Sequence, residues 1–211
     1  MLGKIPFIVP CSPIQRNRPP VGDDWLHEVK FDGWRIQLHK SKRGATVYTK
    51  NGNDFTRRFP AIAAAVAALP VQSAIIDGEL TACDRHGLPD FCTLHFHNVR
   101  EDALCVWAFD ILHLNGADLR PTPLSERKYA LEKIIYKAED HTLRLSETFG
   151  DGAKLLASCE SMGLEGIVSK RRDFPYRSGP ADWIKVKCLT WREANKDRGE
   201  LFTKDNRRNG R

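Results

Sequence analysis

Apolar and polar residues alternate along two short stretches near the start of the chain, 25–30 and 34–39, which is the pattern of strands with one buried face. Gly33 lies between them, so a strand–turn–strand hairpin is expected there. Residues 104–112 are so continuously apolar that a central strand, buried on both faces, is predicted. The full set of predicted strands is 25–30, 34–39, 46–49, 74–80, 104–112, 166–170 and 183–187.

Three segments have helical character instead. An alanine-rich run, 59–70, is bracketed by prolines and suits a short buried helix. Residues 124–138 carry apolar side chains at helical spacing, with Ser125 as the expected cap. A third helix, 152–162, ends before Gly163, a residue type that is common just past a helix terminus. The apolar positions of the second helix are Tyr129, Leu131, Ile134 and Ile135. Together these elements predict an α+β fold in which antiparallel β-sheets are flanked by helices.

The chain has 211 residues, enough for one core, and three regions are predicted. Residues 1–22 contain five prolines and are expected to form an extended lead-in. Residues 23–189 form the single domain. Residues 190–211 are rich in Arg, Lys, Asn and Asp and have little to bury, so they are predicted to be a basic tail or a marginal helix.

Composition excludes only a few classes of protein. A formal net charge of +6 and a pI near 9.1 permit a polyanionic partner without requiring one. The cysteines form no C-x-x-C pair, so reduced thiols are expected in place of a disulfide framework or a zinc ribbon. With no apolar run approaching the roughly 18 residues of a membrane span, a soluble, cytoplasmic monomer is expected. The cysteines are Cys11, Cys83, Cys92, Cys105, Cys159 and Cys188.

His95 and His97 form an H-x-H pair, a spacing that can bind zinc. No Cys or acidic residue lies beside them at ligand spacing. A polar strand edge is therefore the preferred interpretation of this pair.

The candidate chemistry centres on Lys30, which lies between the carboxylates of Glu28 and Asp32 and shortly before Gly33. Alone, such a lysine is ordinarily a solvated surface residue. Further carboxylates and lysines, with one aromatic residue, recur downstream near the ends of predicted strands. The stretches that stand out are Glu28-x-Lys30-x-Asp32-Gly33-x-Arg35, Thr49-Lys50-Asn51-Gly52, Asp77-Gly78-Glu79, Phe109-Asp110, Glu165-Gly166-Ile167-Val168-x-Lys170 and Trp183-Ile184-Lys185-Val186-Lys187.

In this order the stretches resemble motifs I, Ia, III, IIIa, IV and V of the covalent nucleotidyltransferases, and the match is closest to ATP-dependent DNA ligases of bacterial end-joining type. The resemblance covers about residues 20–190. It implies an ATP-grasp-like ligase adenylation domain that uses ATP and Mg²⁺ (or Mn²⁺), with nicked duplex DNA as its partner and DNA repair or recombination as its role.

The resemblance also implies a nucleophile. Lys30 would attack the α-phosphate of ATP and carry AMP, and an amine must be neutral to attack. Lys185 and Lys187 lie two apart on a predicted strand and so point to one face, where they would contact the α-phosphate. With a divalent metal they are also the cations expected to favour the neutral form of Lys30.

Other site residues follow from the same resemblance. Glu79 would contact the ribose or support the metal, and Glu165 would be a Mg²⁺ ligand through oxygen or water. Phe109 would stack on adenine. The remaining implied roles are Arg35 on the ribose, Glu28 lining the adenine pocket, and Lys50 and Asp32 as possible DNA or phosphate contacts. Motif Ia usually has arginine at the position of Lys50, which offers a point charge where arginine has a planar fork.

Family members continue after motif V into an OB-fold domain with a basic motif VI, and this domain is expected to be absent here. An OB-fold or end-joining protein supplied in trans is one substitute, and slow self-adenylylation with measurable sealing of a pre-adenylated nick is expected. Two alternatives stay open: an RNA ligase or GTP-using capping-type nucleotidyltransferase, and a non-catalytic nucleic-acid-binding remnant.

Overall fold

Two β-sheets organise the protein. The structure is a computed structural model that describes residues 6–83, 94, 100, 103–138 and 140–196. The strands are β1 Cys11–Gln15, β2 Trp25–Lys30, β3 Trp34–Ser41, β4 Gly44–Thr49, β5 Ala74–Ala82, β6 Leu104–Leu114, β7 Ala117–Asp118, β8 Leu143–Leu145, β9 Gly166–Arg171 and β10 Gly179–Lys187. The helices are α1 Pro60–Ala68, α2 Leu124–Ala138, α3 Gly152–Ser161 and α4 Leu189–Ala194.

The smaller sheet has four strands in the order β1-β10-β9-β2, and the larger has six, with the path β4-β3-β5-β6-β7 and β8 beside β6. Most pairs are antiparallel, and β1 with β10 and β6 with β8 are parallel. The predicted α+β class, antiparallel sheets flanked by helices, is confirmed. Every predicted strand is present within a few residues of its expected bounds.

The expected hairpin around Gly33 is wrong. β2 pairs with β9 in the smaller sheet, whereas β3 pairs with β4 and β5 in the larger one. The chain therefore passes from one sheet to the other at Gly33. A Cβ there would lie 2.2 Å from the carbonyl oxygen of Leu80, so only glycine allows this close approach.

Part of the proline-rich lead-in belongs to the smaller sheet. Cys11–Gln15 forms the edge strand β1, and residues as early as Ile8 are buried. The backbone N–H of Ile8 donates to the side-chain oxygen of Gln37 on β3, at 3.0 Å. This segment therefore ties the smaller sheet to the larger one.

Helices cover the larger sheet on its core face. α1 and α2 pack there against strand residues such as Ile36, Leu80 and Val106, which are fully or nearly fully buried. Pro60 is the first residue of α1, a position where a backbone N–H would have no acceptor within the helix, so proline costs no hydrogen bond there. α3 packs instead on the smaller sheet, around Ile167. This arrangement leaves the opposite face of the larger sheet turned towards the smaller one.

Details of α2 differ from expectation. It begins at Leu124, so Ser125 lies inside its first turn and is not the cap. Leu131, Ile134 and Ile135 are buried as predicted, but Tyr129 is 59% exposed because it lies off the packed face. The α3 prediction is confirmed at its end, where Gly163 takes a φ of +68°.

Several predictions fall outside the described residues: the His95–His97 pair, Cys92 and the tail beyond residue 196. Within the described part of the chain, no helix has the length and apolar character needed to cross a membrane.

Candidate active site

A cleft of about 570 Å³ opens between the two sheets. The smaller sheet supplies β2, β9 and β10 to its wall, and the larger sheet supplies β3, β5 and β6. Seven of the ten predicted site residues line it, namely Glu28, Lys30, Arg35, Lys50, Glu79, Phe109 and Lys185. The other three, Asp32, Glu165 and Lys187, adjoin Lys30 or its ion pair.

Glu165 joins two of the predicted lysines. The Nζ of Lys30 donates to Glu165 Oε2 at 2.7 Å, and the Nζ of Lys187 lies 2.8 Å from Oε1. Strand register produces this contact, because Lys30 on β2 and Lys187 on β10 both pair with Gly166, the residue after Glu165. A single buried carboxylate is thus shared by two ammonium groups, one from each of the two strands that flank β9.

Lys185 and Lys187 do not by themselves make the neutral form of Lys30 the favoured one, and the expected contribution of a divalent metal stays a prediction. Burial lowers the pKa of Lys30, but the nearby carboxylates of Glu165 and Glu79 outweigh burial and raise it overall. The expected effect appears instead at Lys185. The pKa of Lys185 is lowered by burial first and then by the charges of Lys30 and Lys187. Lys30 remains a cation, because its own pKa is raised.

Glu79 is a carboxyl group in a strongly perturbed environment. Burial, with smaller contributions from Glu165 and Asp77, raises the pKa of Glu79 to about 7, against the opposing charges of Lys30 and Arg35. Among the described residues no group of three or more His, Cys, Asp or Glu side chains could hold a metal ion. Two carboxylates still fit Mg²⁺, which is commonly bound by one or two carboxylates together with water and substrate phosphates.

Arg35 is fixed by a buried network. Its guanidinium makes two hydrogen bonds to Asp77, at 3.0 and 2.6 Å, and a third to the carbonyl oxygen of Cys11. Tyr176 donates from its hydroxyl to Asp77 at 2.7 Å and accepts from the Cys11 N–H at 2.9 Å. The bidentate geometry orients the guanidinium plane over the ring of Phe109, 5.1 Å from its centroid.

Glu28 lines the cleft, but its carboxylate is already occupied. Lys128 and Lys170 lie 3.0 and 2.9 Å from Oε1, and the Ser146 hydroxyl donates to Oε2 at 2.9 Å. Burial raises the pKa of Glu28, yet the two ammonium groups outweigh it and lower the pKa overall. Glu28 is therefore a buried anion that locks β2 to β9 and α2.

Phe109 is half-buried on β6, at the end of the cleft where Trp183 packs edge-on at 5.9 Å. The Nζ of Lys170 lies 4.4 Å from the Phe109 centroid and 4.2 Å from that of Trp183. This end of the cleft combines an aromatic surface with cations, which suits a planar, electron-rich ring.

Sequence reasoning missed four residues that build the site. Asp77 and Lys170 lay within the quoted stretches, and their burial is the signal that assigns them a role. Trp183 was quoted only as the start of a strand. Tyr176 lies in the loop before β10, and no sequence pattern marked it.

Residues 10–187 match the family described as ATP dependent DNA ligase domain. The chain belongs to this family. It is 37% identical over 193 residues to the multifunctional non-homologous end joining protein LigD of Pseudomonas aeruginosa, covering 88% of this chain and 23% of that protein. It is 32% identical over 178 residues to a probable DNA ligase of Mycolicibacterium paratuberculosis, covering 79% of this chain and 34% of that one. The chain thus spans about a quarter to a third of these relatives.

Solved structures of ATP-dependent DNA ligases share the fold. Mycobacterial DNA ligase D complexed with ATP and MES superposes with a TM-score of 0.72 at 28% identity, over 85% of this chain and 60% of that one. The bacteriophage T7 ligase in complex with ATP has a TM-score of 0.60 at 14% identity, over 85% of this chain and 68% of that one, a likeness of fold alone. The predicted family is confirmed.

Proposed function

We propose that this chain is the adenylation domain of an ATP-dependent DNA ligase of end-joining type, and that Lys30 carries AMP during strand joining. The observation that carries the proposal is the placement of Lys30. Its Nζ lies in a cleft between the sheets, 2.7 Å from a buried carboxylate, with an aromatic surface and Arg35 at the same cleft. Family membership and the ATP complex of the mycobacterial relative support it.

In the first step Lys30 Nζ attacks the α-phosphorus of ATP. A P–N bond forms, the bond from the α-phosphorus to the bridging oxygen breaks and pyrophosphate leaves, while the nitrogen gives up two protons to solvent on going from ammonium to phosphoramidate. Phe109 would stack on adenine and Arg35 would hold the ribose. Lys185 and Lys187 would lie against the α-phosphate, where fixed positive charge stabilises the developing negative charge.

Lys30 must lose its charge before it attacks, and the carboxylates oppose this. Mg²⁺ bound to the oxygens of Glu165 and Glu79 would offset the negative charge that raises the Lys30 pKa. Glu165 also pairs with Lys187, so a movement of this carboxylate towards Lys187 would likewise lower the pKa of Lys30. The Lys30–Glu165 ion pair would then keep Lys30 protonated until substrate and metal bind.

The later steps need a nucleic-acid partner. A 5′-phosphate oxygen would take AMP from Lys30, and a 3′-hydroxyl would then displace AMP to form the phosphodiester bond. Lys50, at the cleft, and Asp32, beside Lys30, remain proposed contacts to phosphate or DNA. An OB-fold or end-joining protein acting in trans remains a proposed partner.

The test is incubation of the full chain with ATP labelled at the α-phosphate, with Mg²⁺, over an extended time course. The protein should become covalently labelled. Lys30→Ala should abolish labelling, whereas the matched variant Lys154→Ala, which removes a lysine that is 87% exposed on α3, should label like the parent. Equal labelling of Lys30→Ala and the parent would contradict the mechanism.

Competition and transfer assays separate the related reactions. Unlabelled ATP should suppress labelling and GTP should not, and the label should pass to nicked DNA bearing a 5′-phosphate. Suppression by GTP would indicate a capping-type enzyme, and transfer to RNA alone would indicate an RNA ligase. The absence of both labelling and transfer would favour a non-catalytic role.

A further inference from the structure

Two cysteines lie side by side on the larger sheet, outside the cleft between the two sheets. The Sγ atoms of Cys83 and Cys105 are 3.1 Å apart, and both residues are thiols. Cys83 directly follows β5 and is half-buried, while Cys105 on β6 is 2% exposed. A disulfide needs an S–S separation of about 2.05 Å, so the sulfurs have roughly 1 Å left to close.

Strand register explains why the thiols meet. Thr81 pairs with Cys105, and the N–H of Cys83 donates to the carbonyl oxygen of Ala103 at 2.8 Å. Cys83 is therefore diagonal to Cys105 across an antiparallel pair, with both side chains on one face. Strand pairing holds the two sulfurs together without any loop closure, so bond formation requires little ordering of the chain.

The two thiols are not equivalent. The hydrogen bond with Cys83 and then burial raise the pKa of Cys105, which disfavours its thiolate. Cys83 is also the more exposed of the two. An incoming reagent would therefore meet Cys83 first, and Cys105 is placed to resolve the product.

We propose that Cys83 and Cys105 form a site of reversible disulfide formation, oxidised by a low-molecular-weight disulfide such as oxidised glutathione. The Cys83 thiolate attacks one glutathione sulfur, forming a mixed disulfide and releasing one glutathione. Cys105, losing its proton, then attacks Cys83 Sγ and releases the second glutathione. Two protein thiols are oxidised and one small disulfide is reduced to two thiols. Pairs of this kind inside otherwise reduced proteins are typically transient or redox-sensing.

The site has a structural connection to the Lys30 motif. The Thr81 hydroxyl lies 3.2 Å from the Cys105 sulfur and accepts a hydrogen bond from the Trp107 indole at 3.1 Å. Trp107 stacks on Phe31, the residue after Lys30, with ring centroids 4.1 Å apart. The disulfide would form at the far end of this chain of contacts.

Peptide mapping without reduction tests the proposal. The full chain is incubated with oxidised glutathione, alkylated and digested with trypsin, which cleaves after Arg58, Arg85, Arg100 and Arg127 and so leaves Cys83, Cys92 and Cys105 in three separate peptides. A linked pair of the Cys83 and Cys105 peptides should appear, and dithiothreitol should abolish it. Its absence, or linkage of either cysteine to Cys92 instead, would overturn the proposal.

Variants provide the control. Cys83→Ser and Cys105→Ser should each lose the linked peptide, while Cys159→Ser, which removes a buried thiol on α3, should retain it. Circular dichroism checks that each variant is folded. Should the serine variants not fold, the parent map alone decides, since it requires no substitution.

Discussion

At the scale of single residues, the carboxylates around Lys30 determine its protonation state. A lysine within hydrogen-bonding distance of a buried carboxylate is a stable cation, and a nucleophile must be neutral. The sequence indicated which lysine to consider but not its protonation, because the charge state depends on Glu165 and Glu79. Those residues are distant in the chain and meet Lys30 only through strand pairing.

Glu79 should make the stability of the protein depend on pH. Its folded-state pKa of about 7 lies above the value for an unfolded chain, so the folded state binds the extra proton between the two values and stability falls as pH rises through this window. Glu79→Gln removes the effect. After allowance for solvent screening, we expect the variant to gain on the order of 1–2 kcal/mol relative to the parent between pH 5 and pH 8.

Urea denaturation of parent and variant at both pH values measures this difference directly. Because the other titrating groups are common to both proteins, the change in the difference isolates Glu79. A difference in the free energy of unfolding that is the same at pH 5 and pH 8 would show that Glu79 is not perturbed by burial.

At the scale of elements, the first residue of β9, Gly166, cannot be replaced by a larger residue without strain. Gly166 has a φ of +148°, and a Cβ there would lie 2.1 Å from the carbonyl oxygen of Val186 on β10. Substitution would push apart the strands that bring Glu165 to Lys30. Sequence alone could suggest that Gly166 matters, but not that the limiting contact is a neighbouring backbone.

Gly166→Ala should therefore destabilise the protein and weaken the Lys30–Glu165 pair. A strained backbone costs of order 1–3 kcal/mol, and the clash adds to it. The matched variant is Gly150→Ala, where nothing lies within 4 Å of the added carbon. Urea midpoints compare the two; an equal loss in both variants would mean that the β9–β10 contact is not limiting.

The Glu28 cluster ties three elements together. Glu28→Gln would leave Lys170 and Lys128 buried without their shared anion, and breaking a buried pair typically costs about 3–5 kcal/mol. Asp118→Asn breaks an exposed pair with Arg120 and should cost about 0–1 kcal/mol. Chemical denaturation tests the contrast. A Glu28 variant as stable as the parent would show that this buried charge does not support the fold.

At the scale of the whole molecule, the site lies between two sheets that the sequence could not assign to separate layers. Hydrophobic periodicity located the strands because burial of one face is a local property of sequence. It gave no partner for any strand, and so placed β2 and β3 in a hairpin although they belong to different sheets. The network of Tyr176 with Asp77 was missed for the same reason, since it joins residues 99 positions apart.

The ordered motifs predicted more of the site residues than the hydrophobic periodicity of the sequence did. They identified seven residues that line one cleft, although the chain contributes them from both sheets. The burial of Asp77 and Lys170 depends on how those sheets pack, so their supporting roles became visible only with the fold.

The most direct test of this account is the location of AMP on the protein. The full chain is incubated with ATP and Mg²⁺, digested with trypsin at neutral pH to preserve an acid-labile P–N bond, and analysed by mass spectrometry. Trypsin cannot cleave after a modified lysine, so AMP should appear on an uncleaved peptide spanning 17–35, attached to Lys30. AMP found instead on Lys185 or Lys187 would contradict the assignment of Lys30 as the nucleophile.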